Sequence, residues 1–338
     1  MQALIFEGPW QMPLREMEVP MPGSDDVIVR VRAAGVCGSD VHGFTGSTGR
    51  RTPGIVMGHE FAGTIETLGA EVAGWQTGQR VIVQPLITCG TCAFCRAGKP
   101  NVCANRQLIG MHQHGAYAEC VRVPQAQLRA MPDDLGWEQA ALVEPLAVAL
   151  HAVNATSLRI MDTVVIVGAG PIGLLTLLAA RLKGAGQVVV TDRSVHRLEL
   201  ARRLGAAMVI NVAEQDAVAE VQRVTDGLGA HAAIEAVGIT PTVQQAQAVT
   251  RIGGQVTWIG NSAPDVTINM QQVVTRELTI RGVYGFADEF EQAIAALASG
   301  WINVAPLIEV VAPLSDGPQM IHDLADGSLD AVKVVLQP

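Results

Sequence analysis

The pattern of apolar and polar positions changes part-way along the chain. Up to about residue 130, apolar and polar residues alternate in short segments such as VIVRVRA at 27–33, which are separated by turns rich in glycine and proline. Alternation with a period of two is typical of a strand with one buried face. After Pro145 the spacing becomes helical, as in LAVALHAVNAT at 146–156. The first part is therefore predicted to be β-rich, with few helices.

The middle of the chain predicts strands that alternate with helices. MDTVVIVGAGPIGLLTLLAARLKG has the form strand, glycine turn, helix. Further strands are predicted at VVVTD, MVINV, HAAIEAVG and GGQVTWIGN, with helices at HRLELARRLGA and TPTVQQAQAVTRI. This alternation is typical of βαβ units and predicts a doubly wound parallel sheet. The α/β domain either follows the β-rich domain or is inserted in it, with boundaries near residues 148 and 285.

A glycine-rich turn follows the first of these strands. Gly168, Gly170 and Gly173 have the G-x-G-x-x-G spacing, which permits a tight turn, close approach of a pyrophosphate and packing of the helix on the strand. Asp192 ends the next strand, where a carboxylate can bind both ribose hydroxyls and repel a 2′-phosphate. This favours NAD over NADP, although Arg193 beside it can accommodate a 2′-phosphate. The alternative is a phosphate-free turn in an ordinary α/β sheet.

Four of the six cysteines lie within fifteen positions. Cys89, Cys92, Cys95 and Cys103 have the spacing C-x2-C-x2-C-x7-C. Four thiolates at such intervals can close a tetrahedral shell around zinc and leave no open position, so the sequence predicts a structural zinc site. Unligated cysteines, a redox switch and a ribbon-like interaction module are the alternatives.

A second set of metal-binding residue types is spread over the β-rich part. Cys37 stands in GVCGSDVH, His59 and Glu60 in GHEFAG, and Glu144 in VEPLAVALHA. A thiolate, an imidazole and a carboxylate form a mixed zinc shell with room for water or substrate. By spacing alone this evidence is weak, because a single buried cysteine or histidine is usually structural.

Six motifs together resemble one family. In chain order they are GVCGSDVH, GHEFAG, the four-cysteine segment, GAYAE, EPLA and VGAGPIG. This order is similar to that of the zinc-containing medium-chain alcohol dehydrogenases over essentially the whole chain. It is most similar to the polyol (sorbitol-type) and threonine or butanediol branches, which carry glutamate in the EPLA segment. The resemblance implies a GroES-like zinc-binding catalytic domain of residues 1–148 and 286–338, and a Rossmann NAD-binding domain of residues 149–285.

The resemblance also implies roles for the metal-binding residues. Cys37 and His59 would be ligands of a catalytic zinc ion. Glu60 would be a third ligand or one that exchanges with water, and Glu144 would contact the zinc directly or through water. Asp40 is suited to orient His59 and fix its tautomer, the alternative being a carboxylate at the surface or in a turn.

Proton transfer is the implied role of Ser39 and His42, which with Glu60 form the predicted catalytic set. Zinc lowers the pKa of a bound alcohol, so the proton leaves before the hydride and Ser39 can accept it. His42 would pass it to solvent through the cofactor ribose. The alternatives are a turn residue for Ser39 and a solvated bystander for His42. The other histidines match no motif; they are His112, His114, His151, His196, His231 and His322.

The predicted cofactors are NAD and two zinc ions per chain, one catalytic and one structural. The residues predicted to bind NAD are Gly168, Gly170, Pro171, Ile172, Gly173, Asp192, Arg193 and Arg197.

Charge and hydropathy restrict the partners. The formal net charge is -9 without a run of Lys or Arg, which argues against nucleic-acid binding. The N-terminus lacks the pattern of a signal peptide, and the apolar run near LLTLLAA is too short to span a bilayer. We therefore expect a cytoplasmic protein whose partner is a small-molecule alcohol. As in many members of the family, we expect a homo-oligomer, either dimer or tetramer, with the region from GQVTWIGN to LTIRGVYGF extending a sheet across subunits.

The expected reaction is reversible hydride transfer between a secondary alcohol and NAD. A polyol is one expected substrate, but Gly43 and Phe44 replace the tyrosine usual after DVH in sorbitol-type enzymes. After its first residue, Arg281, the segment RGVYGFADEF also lacks the arginine expected there. A diol, a simple secondary alcohol and threonine therefore stay open. Phe44 and Trp301 are expected to pack in the core, with pocket lining as the alternative. A different class, a zinc-stabilised NADH-binding protein without turnover, would not need Cys37, Ser39, His59 and Glu60 together.

Overall fold

The computed structural model describes residues 1–338, and the chain forms two compact units. Unit 1 consists of Met1–Glu144 and Phe290–Pro338, and unit 2 of Pro145–Glu289. The strands are β1 Gln2–Phe6, β2 Leu14–Glu16, β3 Asp26–Gly35, β4 Ile55–Val56, β5 Glu60–Leu68, β6 Arg80–Val83, β7 Leu86–Ile87, β8 Gln107–Leu108, β9 Cys120–Pro124, β10 Leu128–Ala130, β11 Thr163–Val167, β12 Gln187–Asp192, β13 Met208–Asn211, β14 Ala230–Glu235, β15 Thr250–Trp258, β16 Thr279–Gly282, β17 Ile308–Pro313 and β18 Lys333–Gln337. The helices are α1 Gly38–Phe44, α2 Ala93–Arg96, α3 Trp137–Ala140, α4 Val143–Ala155, α5 Pro171–Leu182, α6 Val195–Arg203, α7 Ala217–Val224, α8 Thr240–Val249, α9 Met270–Thr275, α10 Glu289–Ala298 and α11 Gly317–Asp326.

Unit 1 is organised around a seven-stranded sheet in the order β10-β6-β5-β3-β18-β17, with β9 also pairing with β3. The pairs are antiparallel except for β17 with β18. Every second residue at the start of β3, namely Val27, Val29 and Val31, lies in the core of this unit, as the alternation predicts. The β-rich character expected for this part of the chain is confirmed.

One end of this sheet collects three chain segments. Gly35 at the end of β3 is opposite Glu60 at the start of β5, and Val335 of β18 is opposite Gly35 on its other side. Because β5 and β18 both run antiparallel to β3, they begin where β3 ends. Residues just after β3, just before β5 and at the start of β18 therefore lie close together.

Unit 2 contains a six-stranded sheet in the order β13-β12-β11-β14-β15-β16. All five strand pairs are parallel. The central strand β11, TVVIV, is buried at every position, as expected for a parallel strand covered on both faces. The order reverses between β11 and β14, and ligands of such sheets bind at the carboxyl ends of the strands at this point. The predicted doubly wound parallel sheet is confirmed.

Some element bounds differ from the sequence expectation. The helix expected through Ile252 ends at Val249, and the β-branched Thr250 already belongs to β15. The predicted domain boundary near residue 148 falls inside α4, and the one near 285 lies just before α10. None of the helices is long and apolar enough to cross a bilayer.

Candidate metal centres and dinucleotide site

Three potential metal ligands meet at the end of the unit 1 sheet described above. Cys37 follows β3 and is the N-cap of α1, where its Sγ accepts a hydrogen bond from the backbone N–H of Ser39 at 3.5 Å. His59 precedes β5, and Glu60 begins it. Each of the three offers one ligand atom, and these atoms all lie within 4.8 Å of one another. We call Cys37, His59 and Glu60 the mixed cluster.

Gly58 fixes the turn that delivers His59. Its φ is +95°, a conformation that favours glycine, and a Cβ at this position would lie 2.6 Å from Cδ1 of Tyr117. The Tyr117 ring therefore packs directly on the turn. His59, which follows this turn, is only 4% exposed.

Asp40 is fully buried beside His59. Its Oδ1 accepts a hydrogen bond from Nη2 of Arg51 at 3.0 Å, and its Oδ2 accepts one from the Tyr117 hydroxyl at 2.8 Å. Oδ2 also lies 3.3 Å from Nδ1 of His59, within ion-pair distance. Burial works to raise the pKa of Asp40, but the positive charges of His59 and Arg51 outweigh it and hold that pKa well below its usual range. Asp40 is therefore an ionised carboxylate that faces His59.

The electrostatics of the mixed cluster favour a cation. Burial works to lower the pKa of His59, yet the negative charges of Asp40 and Cys37 outweigh it and raise that pKa well above 6.5. A position that stabilises a proton on a buried imidazole also stabilises a metal cation. Thiolate, imidazole and carboxylate are ligand types that zinc prefers. The donor set therefore fits a zinc ion, with Asp40 placed to orient His59.

Glu60 has a buried counter-ion that the sequence analysis missed. Nζ of Lys333 donates a hydrogen bond to Oε2 of Glu60 at 2.6 Å and to the backbone oxygen of Val36 at 3.1 Å. Both charged side chains are 1% exposed. Desolvation works to lower the pKa of Lys333, but the negative charges of Glu60 and Cys37 outweigh it and the pKa is raised. In the sequence, the only signal of this ion pair is a lysine within the mostly apolar segment DAVKVVLQP.

Glu144 lies near this site but outside the mixed cluster. Part of its surface reaches solvent, yet its carboxyl is enclosed by protein, and this burial raises its pKa to about 7. His59, Glu60 and Lys333 are the charged groups that act on it most strongly after desolvation. Its role as a zinc ligand, direct or through water, stays a prediction.

Ser39 and His42 lie on α1, directly after Cys37, and both are exposed. Residues three apart on a helix are neighbours on its surface, so the two side chains share one face of α1. Desolvation of the His42 ring lowers its pKa although the residue as a whole is exposed. Their part in proton transfer stays a prediction.

The two aromatic residues expected in the core differ. Phe44 is 2% exposed and its ring packs edge-on against Trp10, with centroids 5.5 Å apart. Trp301 is 73% exposed, so core packing was wrong for this residue. A large side chain that follows a helix and a glycine is under no constraint to point inward.

Among the histidines without a motif, His322 has neighbours of metal-binding type. Its ligand atom and those of Asp323 and Asp326 lie within 4.8 Å of one another. His322 is exposed, and the carboxylates already accept hydrogen bonds from Gln319 and from the backbone of Ser328. An exposed, internally satisfied group of this kind is ordinary surface structure, and we assign it no function.

The four cysteines of the predicted structural zinc site lie together in unit 1. The Sγ–Sγ distances are 3.5 Å for Cys92–Cys95 and for Cys89–Cys103, 3.9 Å for Cys92–Cys103 and 4.0 Å for Cys89–Cys95. Tetrahedral zinc with Zn–S bonds of about 2.3 Å places its sulfurs roughly 3.8 Å apart. The four side chains, which we call the cysteine cluster, therefore fit one zinc ion.

Backbone amides stabilise charge in the cysteine cluster. The N–H of Cys92 donates to Sγ of Cys89 at 3.4 Å, and the N–H of Cys95 donates to Sγ of Cys92 at 3.5 Å. Hydrogen bonds from the backbone of Thr91 and Cys92 lower the pKa of Cys89 to about 6. Desolvation raises the pKa of Cys95 to about 11. The loop thus favours a thiolate at one position before any metal binds.

The glycine turn of unit 2 has the geometry that a dinucleotide site needs. Gly168 has a φ of +102°, and a Cβ on Gly173 would collide with the carbonyl oxygen of Gly168. Gly170 is the N-cap of α5, and Pro171 and Ile172 lie in its first turn. The twelve-residue helix therefore presents free N–H groups at the carboxyl end of β11, where a pyrophosphate is stabilised.

Asp192 lies at the end of β12 next to this turn. Its Oδ2 accepts a hydrogen bond from the N–H of Ala169 at 2.6 Å, and its Oδ1 accepts from Arg193 at 2.7 Å and from Ser194 at 2.9 Å. Nη1 of Arg197 lies 3.9 Å from where a Cβ of Gly170 would stand, so this side chain approaches the turn. Asp192, the glycine turn and Arg197 are thus brought together, whereas Arg193 is exposed.

Known proteins share both parts of this chain. The model of the alcohol dehydrogenase GroES-like domain matches residues 23–133, and that of the zinc-binding dehydrogenase domain matches residues 171–299. Sorbitol dehydrogenase of Bacillus subtilis (strain 168) is 33% identical over 343 residues, which cover 100% of this chain and 97% of that protein. The chain belongs to the zinc-type alcohol dehydrogenase family.

Other members of the family support this assignment. L-threonine 3-dehydrogenase of Deinococcus radiodurans is 35% identical over 308 residues, covering 89% of this chain and 87% of that protein. A solved structure of a zinc-binding dehydrogenase from Sinorhizobium meliloti 1021 bound to NADP has a TM-score of 0.93 and 33% identity, covering 100% of this chain and 99% of the other. The GroES-like and Rossmann fold, and membership of the zinc-dependent alcohol oxidoreductases, are confirmed.

The sequence did not predict three residues that contact this site. They are Arg51 and Tyr117, which bind Asp40, and Lys333, which binds Glu60. Of these, only Tyr117 lies in one of the motifs quoted above, GAYAE.

Proposed function

We propose that this chain is a zinc- and NAD-dependent dehydrogenase that converts a secondary alcohol of the polyol or diol class reversibly into the ketone. The observation that carries the proposal is the mixed cluster. A half-buried cysteine beside a buried histidine and a buried glutamate, supported by Asp40 and Lys333, would serve no purpose in a zinc-stabilised protein that only binds NADH. The cysteine cluster alone would be enough for such a protein.

In this proposal the mixed cluster holds the catalytic zinc. Cys37 and His59 are its permanent ligands, Glu60 is a third ligand or exchanges with water, and Glu144 contacts it directly or through water. Zinc held there would polarise the alcohol oxygen of the substrate and lower its pKa. Asp40 keeps the ring of His59 in place. The cysteine cluster, Cys89, Cys92, Cys95 and Cys103, holds a second zinc ion that stabilises its loop.

Ser39 accepts the proton of the substrate hydroxyl, and His42 passes it to solvent. Both side chains are exposed on one face of α1, and Ser39 lies two residues after Cys37. This arrangement supports transfer of the proton from Ser39 to His42. Bound NAD would supply nicotinamide C4 as the acceptor of the hydride from the substrate carbon. The proton has to leave before the hydride, because an alkoxide releases hydride more readily than an alcohol.

The proposed cofactor is NAD, bound by the residues of the glycine turn together with Asp192, Arg193 and Arg197. Asp192 supports this choice, because a carboxylate at the end of β12 repels a 2′-phosphate. NADP in the relative from Sinorhizobium meliloti and the adjacent Arg193 keep NADP as the competing cofactor. Comparison of kcat/KM for the two cofactors decides between them.

The proposed substrate class rests on the similar enzymes and on one position, Gly43, at which this chain differs from sorbitol-type enzymes. Sorbitol and threonine are the substrates named for two similar enzymes. A Cβ at Gly43, where sorbitol-type enzymes usually carry tyrosine, would lie 2.7 Å from Cγ of Arg51. Arg51 therefore fills the space that a larger residue would need. This supports a substrate that differs from sorbitol, such as a diol or another small secondary alcohol.

Assembly and location complete the proposal. Unit 1 is the catalytic domain and unit 2 the NAD-binding domain, and the protein acts in the cytoplasm as a homo-oligomer. The strand β16 lies at the edge of the unit 2 sheet and is mostly exposed, so it can pair with the same strand of a second copy. Light scattering would distinguish a monomer from a dimer or tetramer. Six cysteines without a disulfide are typical of a reducing compartment.

The test is NADH formation over polyols, diols, simple secondary alcohols and threonine, with NAD and NADP, before and after chelation. We expect NAD reduction with one substrate class, lost on chelation and restored by zinc. Absence of reduction across the panel, in zinc-loaded protein that still binds NADH, would favour the binding-protein alternative.

A further inference from the structure

Lys333 is the only lysine among the buried charged residues. Burial of an ammonium group costs several kcal/mol, which only a well-placed partner offsets. Its partners are Oε2 of Glu60 at 2.6 Å and the backbone oxygen of Val36 at 3.1 Å. Lys333 is thus directed at the one residue of the mixed cluster whose role as a ligand is in question.

The backbone of Gly35 also packs against the carboxylate of Glu60. Gly35 is opposite Glu60 in the sheet, and a Cβ at Gly35 would collide with Oε2 of the glutamate. The carboxylate oxygen therefore lies against the bare Cα of Gly35 while Lys333 donates to it. A carboxylate fixed at one oxygen in this way cannot turn both oxygens to a metal.

The number of donors makes this constraint important. Cys37, His59, Glu60 and Glu144 are four candidate ligands, and four protein ligands close a tetrahedral zinc site. A catalytic site needs one position open for water or substrate. An ammonium group at hydrogen-bond distance competes with zinc for the electron pairs of Glu60.

We propose that Lys333 is a positioning residue that holds Glu60 back from the zinc and thereby keeps one metal position open. The inference rests on the proposed zinc site. With Lys333 in place, Glu60 is an exchangeable neighbour of the metal. Without it, the buried carboxylate has zinc as its only remaining counter-ion and becomes a permanent ligand.

The test uses the full chain with cobalt in the catalytic site, because cobalt gives a visible spectrum that reports its ligands. Imidazole is the probe for an open metal position. In Lys333→Met, imidazole has to displace Glu60, so we expect about tenfold weaker imidazole binding and slower metal release to a chelator. Lys333→Arg keeps the charge and should restore both values towards wild type. In Lys333→Met/Glu60→Gln the competing carboxylate is gone, and imidazole binding should recover.

Opposite outcomes overturn the inference. Unchanged imidazole binding in Lys333→Met, or faster metal loss from it, would mean that Lys333 only stabilises the fold. Glu60→Gln alone provides a second test that keeps the lysine: it should retain cobalt and bind imidazole as wild type does. Loss of the metal from Glu60→Gln would show a permanent ligand and refute the inference while leaving the proposed function intact. The proposed function itself fails if wild-type protein shows no cobalt spectrum that Cys37→Ala removes.

Discussion

The two candidate metal centres of unit 1 are built in opposite ways. The cysteine cluster comes from fifteen consecutive positions, contains sulfur alone, and has thiolate charge stabilised by neighbouring backbone amides. The mixed cluster joins the end of β3 to the start of β5, and its charges are balanced by the buried side chains Asp40, Arg51 and Lys333. A local loop is sufficient to hold a closed site. The mixed cluster instead depends on an environment assembled from distant parts of the sheet.

The largest effect should come from Cys37→Ala. Loss of the thiolate removes the catalytic zinc, and metal charge stabilisation worth several kcal/mol corresponds to a fall in kcat/KM of about 10³-fold or more. Zinc content should fall from two ions per chain to one, while NADH binding, followed by fluorescence, stays unchanged. Cys120→Ala is the matched control, since Cys120 is also a free cysteine in unit 1 but outside both clusters. Near-normal turnover of Cys37→Ala would refute the catalytic assignment.

Cys103→Ala tests the other side of the comparison. Cys103 is the fully buried member of the cysteine cluster, and metal-binding energy at a closed site is folding energy. We expect a loss of about 4 kcal/mol in the free energy of unfolding, measured by urea denaturation. Catalytic zinc and turnover per folded molecule should change much less. A variant that keeps its stability but loses turnover would mean that the two centres have been assigned the wrong way round.

Asp40→Asn should have a moderate effect on the mixed cluster alone. The amide cannot replace the negative charge that faces His59, and loss of such a partner typically lowers metal affinity or activity about 10–100-fold. Competition with a chelator measures the affinity, and zinc in the cysteine cluster serves as the internal reference. Equal loss from both centres would indicate general unfolding instead of a local role.

The smallest expected effect is a pH dependence of the rate of cysteine alkylation in metal-free, reduced protein. Because backbone hydrogen bonds lower the pKa of Cys89 to about 6, its thiolate forms as the pH rises through 6, and alkylation should accelerate there. Cys95, with a pKa raised to about 11, should remain slow at neutral pH. Peptide mapping after timed alkylation measures both, and zinc should protect both. Equal rates at pH 7 would contradict the role of the amides.

The same contrast explains what the sequence could predict. The cysteine cluster was found from spacing, because its ligands are neighbours in the chain. The β-rich part and the parallel α/β sheet followed from strand and helix periods, whereas the GroES-like fold and the mixed cluster came from motifs of a known family. Lys333 and Arg51 could not be found, since a charged residue in a strand or loop does not reveal which distant residue it will meet. Trp301 was expected inside because tryptophan is usually buried on average, a tendency that one position need not follow.

The bond from Lys333 to Val36 joins residues 297 positions apart, and all of unit 2 lies between them in the chain. During synthesis, β3 and β5 therefore exist long before β18 is made. A nascent chain that ends after unit 2 has one side of β3 unpaired at Gly35 and Glu60 without its counter-ion. The mixed cluster reaches its final charge balance only when β18 has been added. The order of translation thus separates the cysteine cluster, complete once its loop is made, from the mixed cluster, which is finished among the last parts of the fold.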